Sequence, residues 1–478
     1  MVFGGAGMEE ILGLVELVND RVLWGLPMVV LMLGTGLFLT WATRGVIFRK
    51  FSVVMRYTVK SLFQKGDSPR ENGTITPFQA VCTALAATVG TGNIVGVALA
   101  IATGGPGAVF WLWISALVGM VIKFCEVTLS QAYRTTDDTG RILGGPMYYL
   151  SAGLGKPRLA ACFALFGAVA ALGIGASVQA NALSGGLHMA LGLPERIIGL
   201  VVAALGALIF IGGIRRIAAV TEFLVPFMSA LYILGALVVL LLRWNRIPAA
   251  FGLIFKSIFT GTAARGGFVG ASAMYACRIG MARGVFTHEA GMGSAPIAHA
   301  AAASDHPARQ GLWGAFEVFF DAIVLCTVTA LVILTSGLWS DPVLLGDTRA
   351  MSALAFERAF PGGRYIVTLG LCLFAFATIV AWYYYGETCV RYLCKGSDAL
   401  RRCYQTAYTA MIYWGCVAGL DAVWTLADLF NGLMALPNLA ALLGLWPVIR
   451  ALSDDFFRDP YRIRPQNADF SHLLKTKK

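Results

Sequence analysis

The sequence predicts an all-α integral membrane protein of about eleven transmembrane helices, two of them discontinuous. Of the 478 residues, 58% are hydrophobic and only 13% are charged. The mean hydropathy of +0.72 is too high for an ordinary soluble protein. Apolar segments long enough to cross a bilayer recur along the chain, and two of them carry clustered glycines that predict a break.

The first discontinuous helix is predicted over residues 78–102, which are apolar except at their centre. Gly90, Thr91, Gly92 and Asn93 lie at that centre, and glycine weakens a helix. Lipid offers no hydrogen bonds, so a break is tolerated only where protein, a ligand or an ion satisfies the freed backbone groups. We therefore expect a binding site here. The alternative is that the glycines only allow close helix packing.

A second discontinuous segment is predicted over residues 280–303. Gly284, Gly291, Gly293 and Pro296 interrupt an otherwise apolar run of small residues. Interrupted segments in corresponding positions of the two halves of a membrane protein are typical of secondary transporters built from inverted repeats. After one extra helix at the start, the remaining ten are expected to form two sets of five, each opened by a broken helix.

The distribution of basic residues predicts the orientation of the chain. Lys and Arg are concentrated at 44–70 and again in the tail, so both regions are expected in the cytoplasm and the N-terminus outside. The predicted divisions are listed in chain order: an extra N-terminal helix with a basic amphipathic segment (1–76), a first five-helix repeat (77–243), an external segment with a second repeat (244–450), and a cytoplasmic basic tail (451–478).

Several other classes of protein do not fit the sequence. The net charge of +11 is spread between apolar segments, whereas a nucleic-acid-binding protein clusters its basic residues on one soluble face. The ten cysteines show no zinc-type spacing. No Ser/His/Asp order or paired intramembrane carboxylates predict chemistry, so an enzyme is not expected. A channel would favour symmetric subunits with rings of like residues.

Six motifs resemble those of the sodium:alanine symporters, the alanine/glycine:cation symporter family. They are ATVGTGNIVGVA at 87–98, GGPGAVFWLW at 104–113, GGPMYYL at 144–150, EAGMGSAP at 289–296, HPARQG at 306–311 and WYYYGE at 382–387. The resemblance implies the five-plus-five inverted repeat of LeuT-type transporters with one extra helix in front. It also implies symport of alanine or glycine with Na⁺ by alternating access, in a bacterial inner membrane, by a monomer without a cofactor.

Two alternatives to that function stay open. A proton could replace Na⁺ as the coupling ion, or the chain could be a sensor that binds an amino acid on the same fold without transporting it. The sequence of a sensor would look the same, so only a flux measurement separates the two.

The predicted substrate site combines the first break with three other side chains. Backbone N–H groups at a half-helix N-terminus suit a carboxylate, which makes Thr91, Gly92 and Asn93 the candidates there. Asn93 could instead only cap the half-helix. The other candidates are the amide of Gln179, which could instead bond a neighbouring helix, and the aromatic rings of Phe286 and Trp382. Those rings would limit the site to a small amino acid, or they could be ordinary packing.

The predicted cation site consists of oxygen ligands, which hard cations prefer. These are the backbone carbonyls near Ala86 and Val89 and the hydroxyl of Thr378. Ala377 stands where the resembled family usually has a second hydroxyl residue. With no aspartate in the first break, Na⁺ is favoured over Mg²⁺ or Ca²⁺.

Charged residues within the apolar segments have open roles at this stage. Glu289 lies near the second break and either binds a proton or cation or holds a helix end. Lys123 and Glu126 are three residues apart on one helix, and either form a buried ion pair or extend to the inner surface.

Overall fold

The computed structural model is almost wholly helical, which confirms the predicted all-α class. It describes residues 6–62, 75–137, 140–258, 269–346, 348–418, 421–464 and 470–474.

The N-terminal part consists of one long apolar unit and a set of short helices. Gly25 is extended, and Pro27 follows at the start of the next helix, where its missing N–H is harmless. Asn19 donates from Nδ2 to the carbonyl of Thr425 at 2.8 Å, so this unit is tied to the last long helix. The helices are α1 (Ala6–Val18), α2 (Leu26–Ala42), α3 (Val46–Arg49), α4 (Phe51–Tyr57) and α5 (Val59–Leu62).

The next part begins with a capping box, in which Thr76 and Gln79 bond each other's backbone N–H groups. A two-stranded antiparallel hairpin, β1 (Thr135–Thr136) with β2 (Ile142–Leu143), follows the third of its helices. The helices are α6 (Pro77–Thr88), α7 (Val97–Gly104), α8 (Ala108–Ala132), α9 (Pro146–Tyr148), α10 (Pro157–Ala170), α11 (Gln179–Leu191), α12 (Glu195–Phe210), α13 (Gly213–Leu242) and α14 (Ile247–Lys256).

The remaining helices complete the bundle and the tail. The backbone of Ile75, just before α6, forms a parallel bridge with Ala302, just after the second broken helix. The two broken helices are thus joined at one end of the bundle. The helices are α15 (Val269–His288), α16 (Ala295–Ala300), α17 (Pro307–Val318), α18 (Cys326–Ser336), α19 (Pro342–Gly346), α20 (Thr348–Glu357), α21 (Gly363–Leu393), α22 (Asp398–Val417), α23 (Asp421–Gly444), α24 (Trp446–Arg458) and α25 (Ser471–Leu474).

Five wider, π-helical turns occur in the described part of the chain: Asn19–Leu23, Gly92–Gly96, Tyr149–Gly153, Ala171–Val178 and Phe319–Leu325. Such turns are frequently found at functional sites. The turns at Gly92–Gly96, Ala171–Val178 and Phe319–Leu325 lie in elements that pack around the predicted binding region.

Seven helical stretches in the described part of the chain are long and apolar enough to span a membrane, and a bent pair makes up to eight. Large apolar side chains on their outer faces, such as Leu37, Phe223 and Leu241, are more than half exposed, as expected of a lipid-facing surface. The protein is therefore a multi-pass membrane protein. Helices α12, α15 and α22, where crossings are also predicted, are shorter or more polar, so the count of eleven and the repeat stay predictions.

The predicted domain divisions likewise stay predictions. Part of the predicted external segment, at 259–268, lies outside the described residues.

One end of the bundle, which carries Arg56, Arg134 and Arg309, is called the basic end. There the chain after α23 folds back over the loop before α17, forming what we call the C-terminal strap (residues 446–464 and 470–474). The main-chain N–H of Arg464 donates to Asp305 Oδ2 at 3.0 Å. Arg309 donates to the carbonyl of Arg462 at 2.9 Å.

The strap also covers the ring of His306, whose Nε2 lies 3.3 Å from Asp455 Oδ2. Burial, reinforced by the nearby Arg464 guanidinium, lowers the pKa of His306 to about 4. The ring is therefore neutral at pH 7, and its Nδ1 accepts the N–H of Ala308 to cap α17.

Candidate functional site

The first break lies where the glycine cluster predicts it. Helix α6 ends at Thr88, Val89 is extended, and the second half of the span resumes at a 53° angle. The side-chain oxygen of Asn93 accepts the main-chain N–H of Gly90 at 2.9 Å. One amide side chain therefore satisfies a backbone group that the break sets free, as a buried break requires.

The other end of the Asn93 amide contacts a carboxyl group. Its Nδ2 donates to Asp321 Oδ1 at 2.7 Å and to the Asp321 carbonyl at 3.2 Å. Asp321 lies in the π-helical turn between α17 and α18 and is fully buried. Asn93 therefore does not cap the continuing half-helix, because it lies inside that half-helix and its side chain accepts an N–H group that precedes it. It instead links the break to a distant acidic residue.

Two of the three predicted cation ligands, Ala86 and Thr378, are in contact beside the same break. The Thr378 hydroxyl donates to the Ala86 carbonyl at 2.9 Å and to the Phe374 carbonyl at 3.0 Å. A Cβ on Gly90 would lie 3.4 Å from the Thr378 oxygen, so the extended residues after Val89 pass close to it. The fold thus collects neutral oxygens at the end of α6, an arrangement suited to a monovalent hard cation.

The second break is real but shorter than the sequence predicts. Helix α15 runs without interruption to His288, and Glu289, Gly291 and Gly293 then take positive φ angles before α16 starts at Ala295. Gly291, Gly293 and Pro296 belong to the break and the turn after it, as predicted.

The prediction that Gly284 interrupts the second segment is wrong, because Gly284 lies inside α15. A Cβ there would come within 2.7 Å of the Ser115 side chain of α8. That glycine serves close packing of the two helices, and it does not break α15.

Side chains from two other helices satisfy the second break. Glu126 Oε1 of α8 accepts the N–H of Gly291 at 2.9 Å. Asn438 Nδ2 of α23 donates to the Gly291 carbonyl at 2.9 Å and also to Glu126 Oε1. Tyr149 in turn donates its hydroxyl to Asn438 Oδ1. A carboxyl group and an amide therefore hold this break in place.

His288 and Glu289 make local contacts at the same break. His288 Nδ1 accepts the N–H of Ala290 at 3.1 Å, which places its ring proton on Nε2, 3.0 Å from the Ser115 hydroxyl. Glu289 Oε2 accepts the Ser294 hydroxyl at 2.5 Å. The contact with Ser294 agrees with the alternative in which Glu289 holds a helix end. It does not test whether Glu289 binds a proton or a cation.

The predicted Lys123–Glu126 pair is wrong, and so is its alternative. Lys123 is completely buried and does not extend to a surface. Its ammonium lies 3.4 Å from Glu317 Oε1 of α17, while Glu126 serves the second break. Glu317 Oε2 also lies 3.2 Å from His299 Nε2, and Gln310 Nε2 lies 2.8 Å from the Nδ1 of that ring.

The remaining substrate candidates lie in different places. Gln179 is the first residue of α11, is 6% exposed, and its Oε1 has no hydrogen-bond partner in the described part of the chain. The fully buried ring of Trp382 packs against Gly175, in the π-helical turn just before Gln179. Gln179 and Trp382 therefore share the interface between the α10–α11 span and α21.

Phe286 is placed differently. It is half-buried, and its ring packs edge-on against Trp24 of the N-terminal unit at 5.6 Å. Its neighbour Thr287 faces the first break, since a Cβ on Gly92 would lie 3.3 Å from the Thr287 hydroxyl. This contact joins the two broken helices.

Three residues of the site were missed by the sequence reasoning: Glu317, Asp321 and Asn438. Asp321 had a usable signal, because an acid inside a long apolar segment is expensive and is usually functional. Glu317 carried the same signal, because it lies in the same apolar segment. Asn438 finds its partners on helices that are distant in sequence, so no local pattern marks it.

Comparison with known proteins gives consistent matches over nearly the whole chain. The sequence model of the sodium:alanine symporter family matches residues 8–468. A sodium/alanine symporter of Methanococcus maripaludis is 45% identical over 446 residues, covering 92% of this chain and 96% of that protein. An uncharacterized transporter of Haemophilus influenzae is 43% identical over 457 residues, covering 95% of this chain and 98% of that protein.

Among solved structures, a transporter of the nucleobase-cation-symport-1 family, in a closed conformation with bromovinylhydantoin bound, is similar with a TM-score of 0.48. It is 14% identical, and the match covers 86% of this chain and 83% of that one.

Proposed function

This chain belongs to the sodium:alanine symporter family, and from that premise we propose that it imports alanine or glycine together with Na⁺ by alternating access. Members of this family are membrane transporters and not enzymes. The arrangement that carries the proposal is the contact between the Thr378 hydroxyl and the Ala86 carbonyl at the first break.

The Na⁺ site is proposed at the end of α6. The carbonyls of Ala86 and Val89 and the hydroxyl of Thr378 supply neutral oxygens, and the nearby Ala377 adds none. Neutral oxygens without a carboxylate bind a monovalent ion better than they bind Mg²⁺ or Ca²⁺, which favour carboxylates. Na⁺ bound there would connect α6 to α21 and hold the broken helix against the rest of the bundle.

The amino acid is proposed to bind with its carboxylate at the first break. Thr91 and Gly92 lie at the N-terminal end of the continuing half-helix, where N–H groups and the helix dipole favour an anion. Asn93 orients this segment, because its oxygen holds the N–H of Gly90. Gln179, whose oxygen is unpaired in the described structure, is the proposed partner for the ammonium group.

Substrate size is proposed to depend on Trp382 and Phe286. The ring of Trp382 packs against Gly175, just before Gln179, and is proposed to limit the space for a substrate side chain there. Phe286, which packs against Trp24, is proposed to limit that space from the side of the second broken helix. These contacts favour alanine and glycine over larger amino acids.

The membrane is proposed to be the inner membrane of a bacterium. The basic end would face the cytoplasm because basic loops are retained there, with the N-terminus outside. The protein would act as a monomer without a cofactor, in contact with lipid over its apolar outer surface.

Uptake of radiolabelled alanine into proteoliposomes tests the proposal. With an inward Na⁺ gradient, uptake should exceed the level reached when K⁺ replaces Na⁺ on both sides. Alanine binding without any Na⁺-driven uptake would contradict transport and indicate a sensor. Equal uptake with both ions, increased by an inward pH gradient, would assign the coupling to protons alone.

Competition with larger amino acids tests the specificity. Trp382→Ala should let leucine and valine compete with labelled alanine, whereas the wild type should not. The matched control is Trp313→Ala, which removes an indole on α17 that packs against Phe78 and Phe316. If neither variant changes the competition, Trp382 has a packing role only.

A further inference from the structure

One carboxyl group at the centre of the bundle has no counter-charge in contact with it. Asp321 is fully buried, and its Oδ1 accepts a single side-chain hydrogen bond, from Asn93 at 2.7 Å. Its Oδ2 is enclosed and has no hydrogen-bond partner among the described residues. An ionised carboxylate in such a place lacks both a cation and a full set of donors.

The charged and titratable groups that face Asp321 do not supply that cation. On its own span they are Glu317 and Cys326, α8 contributes Lys123, and the second break after α15 contributes Glu289. The π-helical turn of the first broken helix, Gly92 to Gly96, contains no titratable side chain.

Lys123 is the one cation in this group, and it is engaged by Glu317 at 3.4 Å. Three carboxyl groups nearby therefore stand without a direct cationic partner in the described structure: Glu126, Glu289 and Asp321. Burying several unpaired negative charges together is very unfavourable, because each ion loses several kcal/mol of hydration. Protons or bound cations must offset part of this charge.

The orientation of Asn93 favours a proton over a metal ion at Asp321. The Gly90 N–H is a donor, so it must face the amide oxygen of Asn93. The amide nitrogen then has to face Asp321, as observed. A metal ion bound by Asp321 would need further oxygen ligands around it, but one side of the carboxyl group already faces the N–H group of Asn93. A proton needs only the free Oδ2 of Asp321.

We propose that Asp321 binds a proton in this conformation and that this proton is a second coupling ion of the transport cycle. The proposal rests on the transport function proposed above. In the cycle, the O–H bond of the Asp321 carboxyl group breaks and the proton passes to water that enters as the bundle opens, leaving the carboxylate.

Proton binding at Asp321 would affect the first break through the side chain of Asn93. An ionised Asp321 forms a charge-assisted, stronger hydrogen bond with Asn93 Nδ2 than a neutral carboxyl group does. Because the same amide holds the Gly90 N–H, protonation changes how firmly the break is held. The amino acid and the proton are thereby coupled over two hydrogen bonds.

Infrared difference spectroscopy tests proton occupancy without requiring transport. The wild type at pH 7 should show a carbonyl stretching band of a protonated carboxyl group that shifts in D₂O. The band should lose the Asp321 component in Asp321→Asn, which is isosteric and keeps an acceptor for Asn93, so the difference between the wild-type and variant spectra should contain one protonated carboxyl band. The same difference taken with Glu289→Gln, the matched buried control, should leave that component in place. A protonated-carboxyl band of unchanged intensity in Asp321→Asn, or no such band in the wild type, overturns the proposal.

A trapped pH indicator tests the coupling. In proteoliposomes with the membrane potential clamped, Na⁺-driven alanine uptake by the wild type should acidify the interior. In Asp321→Asn the number of protons that enter per alanine should fall to zero, at whatever rate alanine uptake continues, and Asp321→Glu should restore the proton movement. Alanine uptake by the wild type without proton movement refutes the coupling. Absence of Na⁺-driven uptake in the wild type would instead refute the function proposed above, while the infrared result would still stand.

Discussion

Both broken helices contain clustered glycines, yet the protein stabilises the two breaks in different ways. At the first break, a neutral amide and a hydroxyl contact the freed backbone: Asn93 holds Gly90, and Thr378 contacts Ala86. At the second, the Glu126 carboxyl group and the Asn438 amide hold the two sides of Gly291. Glycine clusters therefore locate breaks but do not reveal what satisfies them.

The difference matters because the two kinds of partner respond differently to a bound ion. Neutral oxygens can exchange a hydrogen bond for a cation with little change in their own charge. A buried carboxyl group with fixed donors instead forms a rigid support, whose removal leaves donors unpaired. We infer that the first break is the one adapted to bind and release, and that the second is held more firmly.

Removing the carboxyl group at the second break should have the largest effect. Glu126→Ala leaves the Gly291 N–H and the Asn438 amide without their acceptor, and each unsatisfied donor costs about 1–3 kcal/mol. The free energy of unfolding should fall by roughly 2–6 kcal/mol. Thermal unfolding in detergent measures this loss. Glu126→Gln keeps an acceptor oxygen and should lose much less. Equal losses in the two variants would show that the charge matters and the acceptor does not.

Truncating the amide at the first break should have a smaller effect on stability but abolish binding. Asn93→Ala frees the Gly90 N–H and removes the donor to Asp321, so about 2–3 kcal/mol of stability should be lost. Isothermal titration with alanine should show no binding. Asn431→Ala, which truncates another buried asparagine whose Oδ1 has no partner in the described structure, is the control. Normal alanine affinity in Asn93→Ala would limit this residue to a structural role at the break.

The hydroxyl beside the first break should affect ion dependence and leave the fold intact. Thr378→Ala removes one of few oxygens available to a cation, so the Na⁺ concentration for half-maximal uptake should rise about tenfold, equivalent to about 1.4 kcal/mol. Ala377→Ser should lower that concentration by adding an oxygen. Titrating alanine uptake against Na⁺ measures both. If neither variant moves the midpoint, the ion binds elsewhere.

Glu289 should give the smallest effect, despite being buried at the second break. Glu289→Gln retains an oxygen that accepts the Ser294 hydroxyl, so stability should change by about 1 kcal/mol or less. Na⁺-dependent uptake and its pH profile should be unshifted. A lost pH dependence in this variant would move the ion-coupling role from the first break to the second and reverse the comparison.

The sequence predicted the positions of the breaks better than their surroundings. Gly90 to Asn93 marks the first break correctly, because no neighbouring helix is needed to make glycine unfavourable in an apolar helix. The prediction of a break at Gly284 was wrong, because this glycine is required by close packing against the Ser115 side chain. Ser115 lies on a helix about 170 positions earlier in the sequence. The partner of Lys123 could not be predicted either: spacing pointed to Glu126, but the fold brings Glu317 closer.

The C-terminal strap has a consequence for how the chain is made. Asp305 and His306 belong to the middle of the sequence, yet Asp455 and Arg464, the last-synthesised of their partners, lie beyond the final long helix. Every long helix can therefore be inserted in the membrane before the C-terminal strap covers the basic end. A premature stop codon just after α23 would yield a chain that contains all its long helices but lacks the C-terminal strap. Such a chain would be inserted in the membrane and would still leave Asp305 and His306 without their partners at the basic end.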